Sequence, residues 1–234
     1  MYKRKDKTVN ILSASLLAAD FSKLGKEIKD ITEGGAKYLH IDVMDGVFVP
    51  SISFGMPVIK SLRNITDLCF DVHLMIENPE RYIDDFSRCG ADILTVHAEA
   101  ANSLQRVVMQ IKEMGMKAGV AINPTTPLTK IESILEYVDM ILVMGVNPGF
   151  EGQTYIPGTT KKIVSLREMI QRKGFEVDIS VDGGVKIDNV KEVINAGANV
   201  IVAGSAIFND KTLYSTKEFM NVLKNGKYLY WHIM

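Results

Sequence analysis

The stretch "GGAKYLHI", residues 34–41, ends one kind of structure and begins another. Its glycines suit the left-handed backbone that closes a helix, and the run that follows is apolar enough for a buried strand. The same text returns as "CGADILTV" (89–96) and "AGANVIVA" (196–203), each time a Gly, then Ala, one polar residue and an apolar run. Each copy marks a helix-to-strand turn. Working outward from these junctions, strands are expected at 9–15, 38–43, 69–75, 93–98, 117–122, 140–146, 177–182 and 199–204. Helix-like segments lie between and after them at 21–33, 56–63, 79–89, 103–114, 128–136, 159–173, 189–196 and near 215–225. Strands alternating with helices imply a parallel sheet, and eight βα units favour a closed barrel over an open sheet. No GxGxxG follows the first strand, which weakens a dinucleotide-binding alternative. The fold expected is α/β, a single (β/α)8 TIM barrel over 1–234, with an N-terminal extension at 1–9 and a C-terminal tail at 226–234.

Composition bounds the function. Twenty-seven basic against twenty-eight acidic side chains, without a basic block, argue against nucleic acid or a membrane surface as partner. Two cysteines without a CxxC pairing suit a reducing compartment and leave no thiolate metal site. No apolar run has the length of a membrane span, and "MYKRKDKTVN" lacks the apolar core of a signal peptide, so a cytoplasmic location is expected.

Alternate residues of a strand face opposite ways, so in "YLHIDVMDG" (38–46) Leu39, Ile41 and Val43 share one face while His40, Asp42 and Met44 share the other. Parity likewise sets Ser13 and Ser15, Asp71, His73 and Met75, and Ser180 and Asp182 on inward faces near the C-terminal strand ends, where such barrels hold their active sites. His40, Asp42, His73 and Asp182 together form the nitrogen and oxygen donor set of a divalent transition metal, zinc or iron(II), with manganese or cobalt also accepted. Strands 2 and 7 are separated by strands 1 and 8, so Asp42 and Asp182 approach a flat substrate from different sides. One can remove a proton from one face of a carbon and the other return it to the opposite face, while the metal stabilises the enolate charge between them. Asp71, inward beside His73, reads as a carboxylate orienting a ligand imidazole. His97 at the end of strand 4 reads as a structural hydrogen bond, a support behind the ligands or a substrate contact, and Asp45 as a turn former. Glycine-rich loops "NPGFEGQ" (147–153), "DGGV" (182–185) and "AGS" (203–205) follow strands 6, 7 and 8, a setting in which backbone NH groups cradle a phosphate. Met44, Met75 and Met144 fall at a common level, as core filling and as an apolar, water-poor lining.

The motifs "SLLAADF", "HIDVMDGVFVPSISFG", "FDVHLM", "VHAE", "INPTTP", "VNPGFEGQ", "VDGGV" and "VAGSAIF" resemble those of ribulose-phosphate 3-epimerases over about residues 11 to 210. The resemblance implies a metal-dependent epimerase of the pentose phosphate pathway that interconverts D-ribulose 5-phosphate and D-xylulose 5-phosphate at C3 through an enediolate. It implies one divalent metal ion per subunit on His40, Asp42, His73 and Asp182, with Asp42 and Asp182 as the proton-transferring pair. It also implies substrate contacts from Ser15, Met44, Met75 and Met144, and a phosphate site at Gly149, Phe150, Gly152, Gly183, Gly184, Gly204 and Ser205. The partners implied are a phosphorylated ketose and further copies of the chain in a homo-oligomer, a dimer or hexamer.

Two departures stand out. The loop reads "GFEGQ" where the family commonly has GFGGQ, so the Glu151 side chain is expected to point to solvent, away from the phosphate dianion. The end "KYLYWHIM" is apolar, which suits a docked tail or a subunit contact, and His232 within it has no evident partner. The nearest alternative is a D-allulose 6-phosphate 3-epimerase; "VDGGV" rather than a VDGS-type loop, and "FDVHLM" rather than CHLM, favour the five-carbon sugar. A non-catalytic phosphosugar-binding barrel has no need of two opposed carboxylates. A decarboxylase or aldolase would want a Lys at the inward strand ends, where these strands carry none.

Overall fold

The computed structural model describes residues 10–225; the expected extension at 1–9 and tail at 226–234, with His232, lie outside the described residues. Eight parallel strands close into a barrel in sequence order: β1 (Ile11–Ser15), β2 (Tyr38–Met44), β3 (Cys69–Met75), β4 (Ile93–His97), β5 (Lys117–Ile122), β6 (Met140–Met144), β7 (Asp178–Asp182) and β8 (Val200–Ala203), the last pairing with β1. Around them run α1 (Leu24–Gly34), α2 (Met56–Arg63), α3 (Ile83–Arg88), α4 (Leu104–Glu113), α5 (Gly158–Lys173), α6 (Val190–Ala196) and α7 (Thr212–Asn225).

The three repeated junctions have one geometry. Gly35, Gly90 and Gly197 all take positive φ. The next residue turns back in each case, Ala36 N–H donating to Ile31 O, Ala91 to Phe86 O and Ala198 to Val193 O, a six-residue closure of the Schellman type. The polar residue then starts the new strand and can cap its neighbour: Asp92 Oδ2 accepts from Phe70 N–H at 2.7 Å and Asn199 Oδ1 from Ile179 N–H at 2.8 Å. Lys37 has no acceptor to offer and pairs through its backbone alone, donating to Leu12 O.

One expected helix is replaced. Over 128–136 the chain forms a 3-10 turn, Leu128–Lys130, and then a run of turns. Ile131, Ile134 and Tyr137 donate three residues back, to Leu128, Ile131 and Ile134. The apolar spacing of three that suggested an α-helix serves this tighter winding equally well, and Ile131, Ile134 and Leu135 are buried through it.

The barrel buries both faces of its sheet. Outward residues such as Leu39, Ile41, Val43, Phe70, Val72 and Leu74 pack with the helices in the main core. Inward, Ile93, Met140 and Val200, with Ile11, Tyr38 and Cys69 against them, form an apolar plug. Above this plug the inward side chains of β1, β2, β3 and β7 turn polar, while Ala121, Leu142, Met144 and Val202 keep the β5, β6 and β8 side apolar. Cys69 and Cys89 are free thiols, and burial pushes Cys69 up to about 12, far from reactive.

Candidate active site

Register places the polar residues side by side. β2 and β3 align His40 with Asp71, Asp42 with His73 and Met44 with Met75, while β1 sets Ser15 beside His40. One ligand atom from each of His40, Asp42, His73 and Asp182 lies within 4.8 Å of all the others. Both imidazoles are fully buried, whereas the Asp182 side chain keeps 17% of its surface open.

His40 Nδ1 lies 2.8 Å from Asp71 Oδ2, which also accepts from the Ser13 hydroxyl at 2.8 Å. Asp71 therefore serves His40 on the adjacent strand, not the His73 of its own strand. A carboxylate on Nδ1 sets the proton there and turns the Nε2 lone pair into the cluster. That buried Nε2 has no hydrogen-bond partner, and it faces Asp42 Oδ1 at 3.2 Å and Asp182 Oδ2 at 4.0 Å. His73 Nδ1 faces the same two carboxylates, at 3.1 and 3.9 Å. Lone pairs and anionic oxygens converging in a buried space demand positive charge, and the donors, two imidazoles and two carboxylates without thiolate, fit a borderline divalent cation.

The electrostatics respond to that demand. Burial disfavours charge on His40, but Asp42 and Asp71 more than offset it and hold the imidazole well above its ordinary range. Burial likewise opposes charge on Asp42, yet His40 and His73 hold its carboxyl far below the usual range. Asp182 moves the other way: burial and then the negative charge of Asp42 push it up to about 7. The two carboxylates are thus shifted in opposite directions.

Behind His73 lies a further chain. His73 Nε2 is 2.9 Å from His97 Nε2, His97 Nδ1 is 3.2 Å from Glu99 Oε2, and burial is the leading cause holding His97 down at about 4. His97 thus touches the candidate ligand itself, with Phe48 packed on its other side at 4.8 Å between ring centroids.

A cleft opens above the cluster, lined by Ser15, Asp42, Met44, Met75, Met144 and Asp182. Gly149, Phe150, Gly152, Gly183, Gly184, Gly204 and Ser205 line it as well, while of the four candidate ligands His40 and His73 stand behind the wall. The Ser15 hydroxyl donates to Asp42 Oδ2 at 2.8 Å. Met44, Met75 and Met144 are all nearly sealed from solvent and make the floor apolar. Gly183 and Gly184 both have positive φ, and a Cβ on either would strike Val146 or the Tyr155 backbone, so only glycine fits that bend.

Asp45 is the turn former expected: its carboxylate accepts from Val47, Phe48 and Glu77 N–H at 2.8–2.9 Å and ties two loops at the barrel mouth. Glu151 departs in part from expectation. It is exposed, yet it lines the cleft, and burial followed by the charge of Asp42 raises its carboxyl above the usual glutamate range. Sequence reasoning passed over Lys186, which also lines the cleft just past the glycine pair; the cation directly after "DGGV" was its only signal.

The model of the ribulose-phosphate 3 epimerase family matches residues 11–208. A ribulose-phosphate 3-epimerase of Synechocystis sp. is 50% identical over 201 residues, 85% of this chain and 87% of that protein. One of Bacillus subtilis is 51% identical over 198 residues, 84% of this chain and 91% of that protein. The chloroplastic ribulose-5-phosphate-3-epimerase of Arabidopsis thaliana is 50% identical over 210 residues, 89% and 75% of the two chains. Among solved structures, KGPDC from Streptococcus mutans superposes with a TM-score of 0.68 at 15% identity, over 93% of this chain and 99% of that one. A 3-hexulose-6-phosphate synthase gives 0.69 at 20% identity, over 91% and 99%; at this distance the two show a shared barrel and no more.

Proposed function

Given that the chain belongs to the ribulose-phosphate 3-epimerase family and is an epimerase, we propose that it interconverts D-ribulose 5-phosphate and D-xylulose 5-phosphate by moving a proton between the two faces of C3. The observation that carries this reading is geometric: Asp42 of β2 and Asp182 of β7 reach one cleft from different sides of the barrel mouth. Such a pair can take a proton from one face of a carbon and return one to the other.

His40, Asp42, His73 and Asp182 would hold a divalent cation, which when bound supplies positive charge to the sugar oxygens that become anionic as the C3 proton leaves. The residues of the chain do the rest. Asp42 accepts the proton from one face, with the Ser15 hydroxyl at 2.8 Å holding its Oδ2 in place. Asp182, reached from the far side of the barrel mouth, delivers a proton to the other face. In the reverse direction the two exchange roles. The methionine floor excludes water that would otherwise compete for the proton. The NH groups of the bends at Gly149, Gly152, Gly183, Gly184, Gly204 and Ser205 suit the phosphate, with Phe150 at the rim, and Lys186 adds the cationic side chain the sequence reading lacked.

The test is a coupled assay of D-xylulose 5-phosphate formation on wild type, Asp42→Asn and Asp182→Asn, each checked for native circular dichroism. Each variant is expected to lose turnover by at least the ~10²–10⁴-fold typical of a missing acid–base group. Full turnover in either folded variant overturns the two-carboxylate mechanism. Faster conversion of D-allulose 6-phosphate by the wild type would move the substrate to six carbons.

A further inference from the structure

We propose that Glu99 and His97 are positioning residues that lock His73 in the tautomer and orientation it needs to present Nδ1 to a metal. The inference rests on the reading of His73 as a ligand and extends it to residues no family motif role covers above.

The two imidazoles meet nitrogen to nitrogen, Nε2 to Nε2 at 2.9 Å, with ring centroids 5.0 Å apart and planes within 28°. Only one proton fits between two nitrogens at that distance, so one ring donates and the other accepts. Glu99 decides which. Its Oε2 stands 3.2 Å from His97 Nδ1 and, as a carboxylate, can only accept, which places a proton on His97 Nδ1. A neutral His97 then accepts at Nε2. His73 accordingly carries its proton on Nε2 when a cation stands between its Nδ1 and the carboxylates of Asp42 and Asp182; without one, Asp42 Oδ1 at 3.1 Å competes to draw that proton to Nδ1. The carboxylate-to-histidine-to-ligand order is that of outer partners which orient metal ligands, lengthened here by one imidazole.

Glu99 is itself held from behind. Its Oε1 accepts from Asn123 N–H at 3.0 Å and from the Thr126 hydroxyl, leaving Oε2 aimed at His97. The loop carrying both is clamped by Lys162 of α5, whose ammonium donates to the carbonyls of Asn123, Pro124 and Thr126. A chain of contacts thus runs from an outer helix, through the loop after β5 and the end of β4, to a candidate ligand on β3. His40 has a direct carboxylate, Asp71, for the same task. His73 reaches its carboxylate through His97.

The experiment compares wild type with Glu99→Gln, which keeps the shape but can offer an amide N–H to His97 Nδ1 and so reverse the relay. Zinc affinity is measured by competition with a chromophoric chelator, and the His73 tautomer is read from ¹⁵N shifts of its ring nitrogens. Wild type should bind zinc with the His73 proton on Nε2, and Glu99→Gln should bind about 10–100-fold more weakly with that proton signature altered. If Glu99→Gln fails to fold, His97→Phe, which removes the acceptor, is read by the same competition and should show the same loss. Equal zinc affinity and an unchanged His73 tautomer in a folded variant overturn the inference while leaving the metal reading intact. A wild type that does not bind zinc overturns both.

Discussion

His40, Asp42, His73 and Asp182 were legible one by one because strand parity is a local property, and a charged residue on the inward side of a barrel strand stands out against its neighbours. What each touches was not local. Asp71 was expected to orient a ligand imidazole and does so, but that the imidazole is His40 follows only from the pairing across β2 and β3 that sets the two side by side. Glu151 shows the same limit: it is exposed as expected, but the fold of its loop brings it to the cleft that Asp42 lines. Its negative charge therefore faces any phosphorylated substrate. Removing it in Glu151→Gln should lower KM by roughly 2–10-fold at low salt, about 1 kcal/mol for one charge acting on a dianion through water, with kcat unchanged. The gain should fade as ionic strength rises and the Debye length shrinks. Michaelis curves at two salt concentrations check it, and an unchanged KM at low salt would show that the carboxylate turns away when substrate binds.

Elements follow the sequence most closely where a backbone requirement singles out one residue type. Gly35, Gly90 and Gly197 mark their turns because the left-handed region excludes most side chains. The segment 128–136 was misread because apolar residues spaced by three or four cannot separate an α-helix from successive 3-10 turns, and the surrounding packing chose the latter. The polar residue after each junction has a duty that shows only once strands pair. Asn199 accepts from Ile179 N–H at 2.8 Å and donates to Asp178 Oδ1 at 2.7 Å, fastening β7 to the start of β8. Asn199→Ala leaves that buried donor unpaired and should cost about 1–3 kcal/mol of stability. Urea unfolding measures the loss; kcat/KM well below the melting temperature should stay at the wild-type value, since the junction lies at the end of the barrel away from the cleft.

Across the whole molecule, the four candidate ligands come from three strands, and β7 meets β2 only because the barrel closes through β8 and β1. A cation there ties the two sides of the closure together and binds the folded chain alone. At a free metal concentration of about 1,000 times the dissociation constant it adds ~4 kcal/mol, so chelation should lower the melting temperature by roughly 10 °C on the usual scaling for a chain of this size. Calorimetry with and without chelator, followed by restoration with zinc, checks this; coincident melts would show that no metal is held at the site. The sequence by itself determined the eight strands and, except over 128–136, the helices between them, the inward face of each strand and the glycine bends after β6, β7 and β8, because these depend on the steric limits and side-chain direction of a few adjacent residues. The tertiary structure alone decided that His40 answers to Asp71, that His73 answers to Glu99 through His97, and that Glu151 and Lys186 share the cleft. Those relations depend on register and ring closure between segments distant in the chain, and such distances are settled only when the barrel closes.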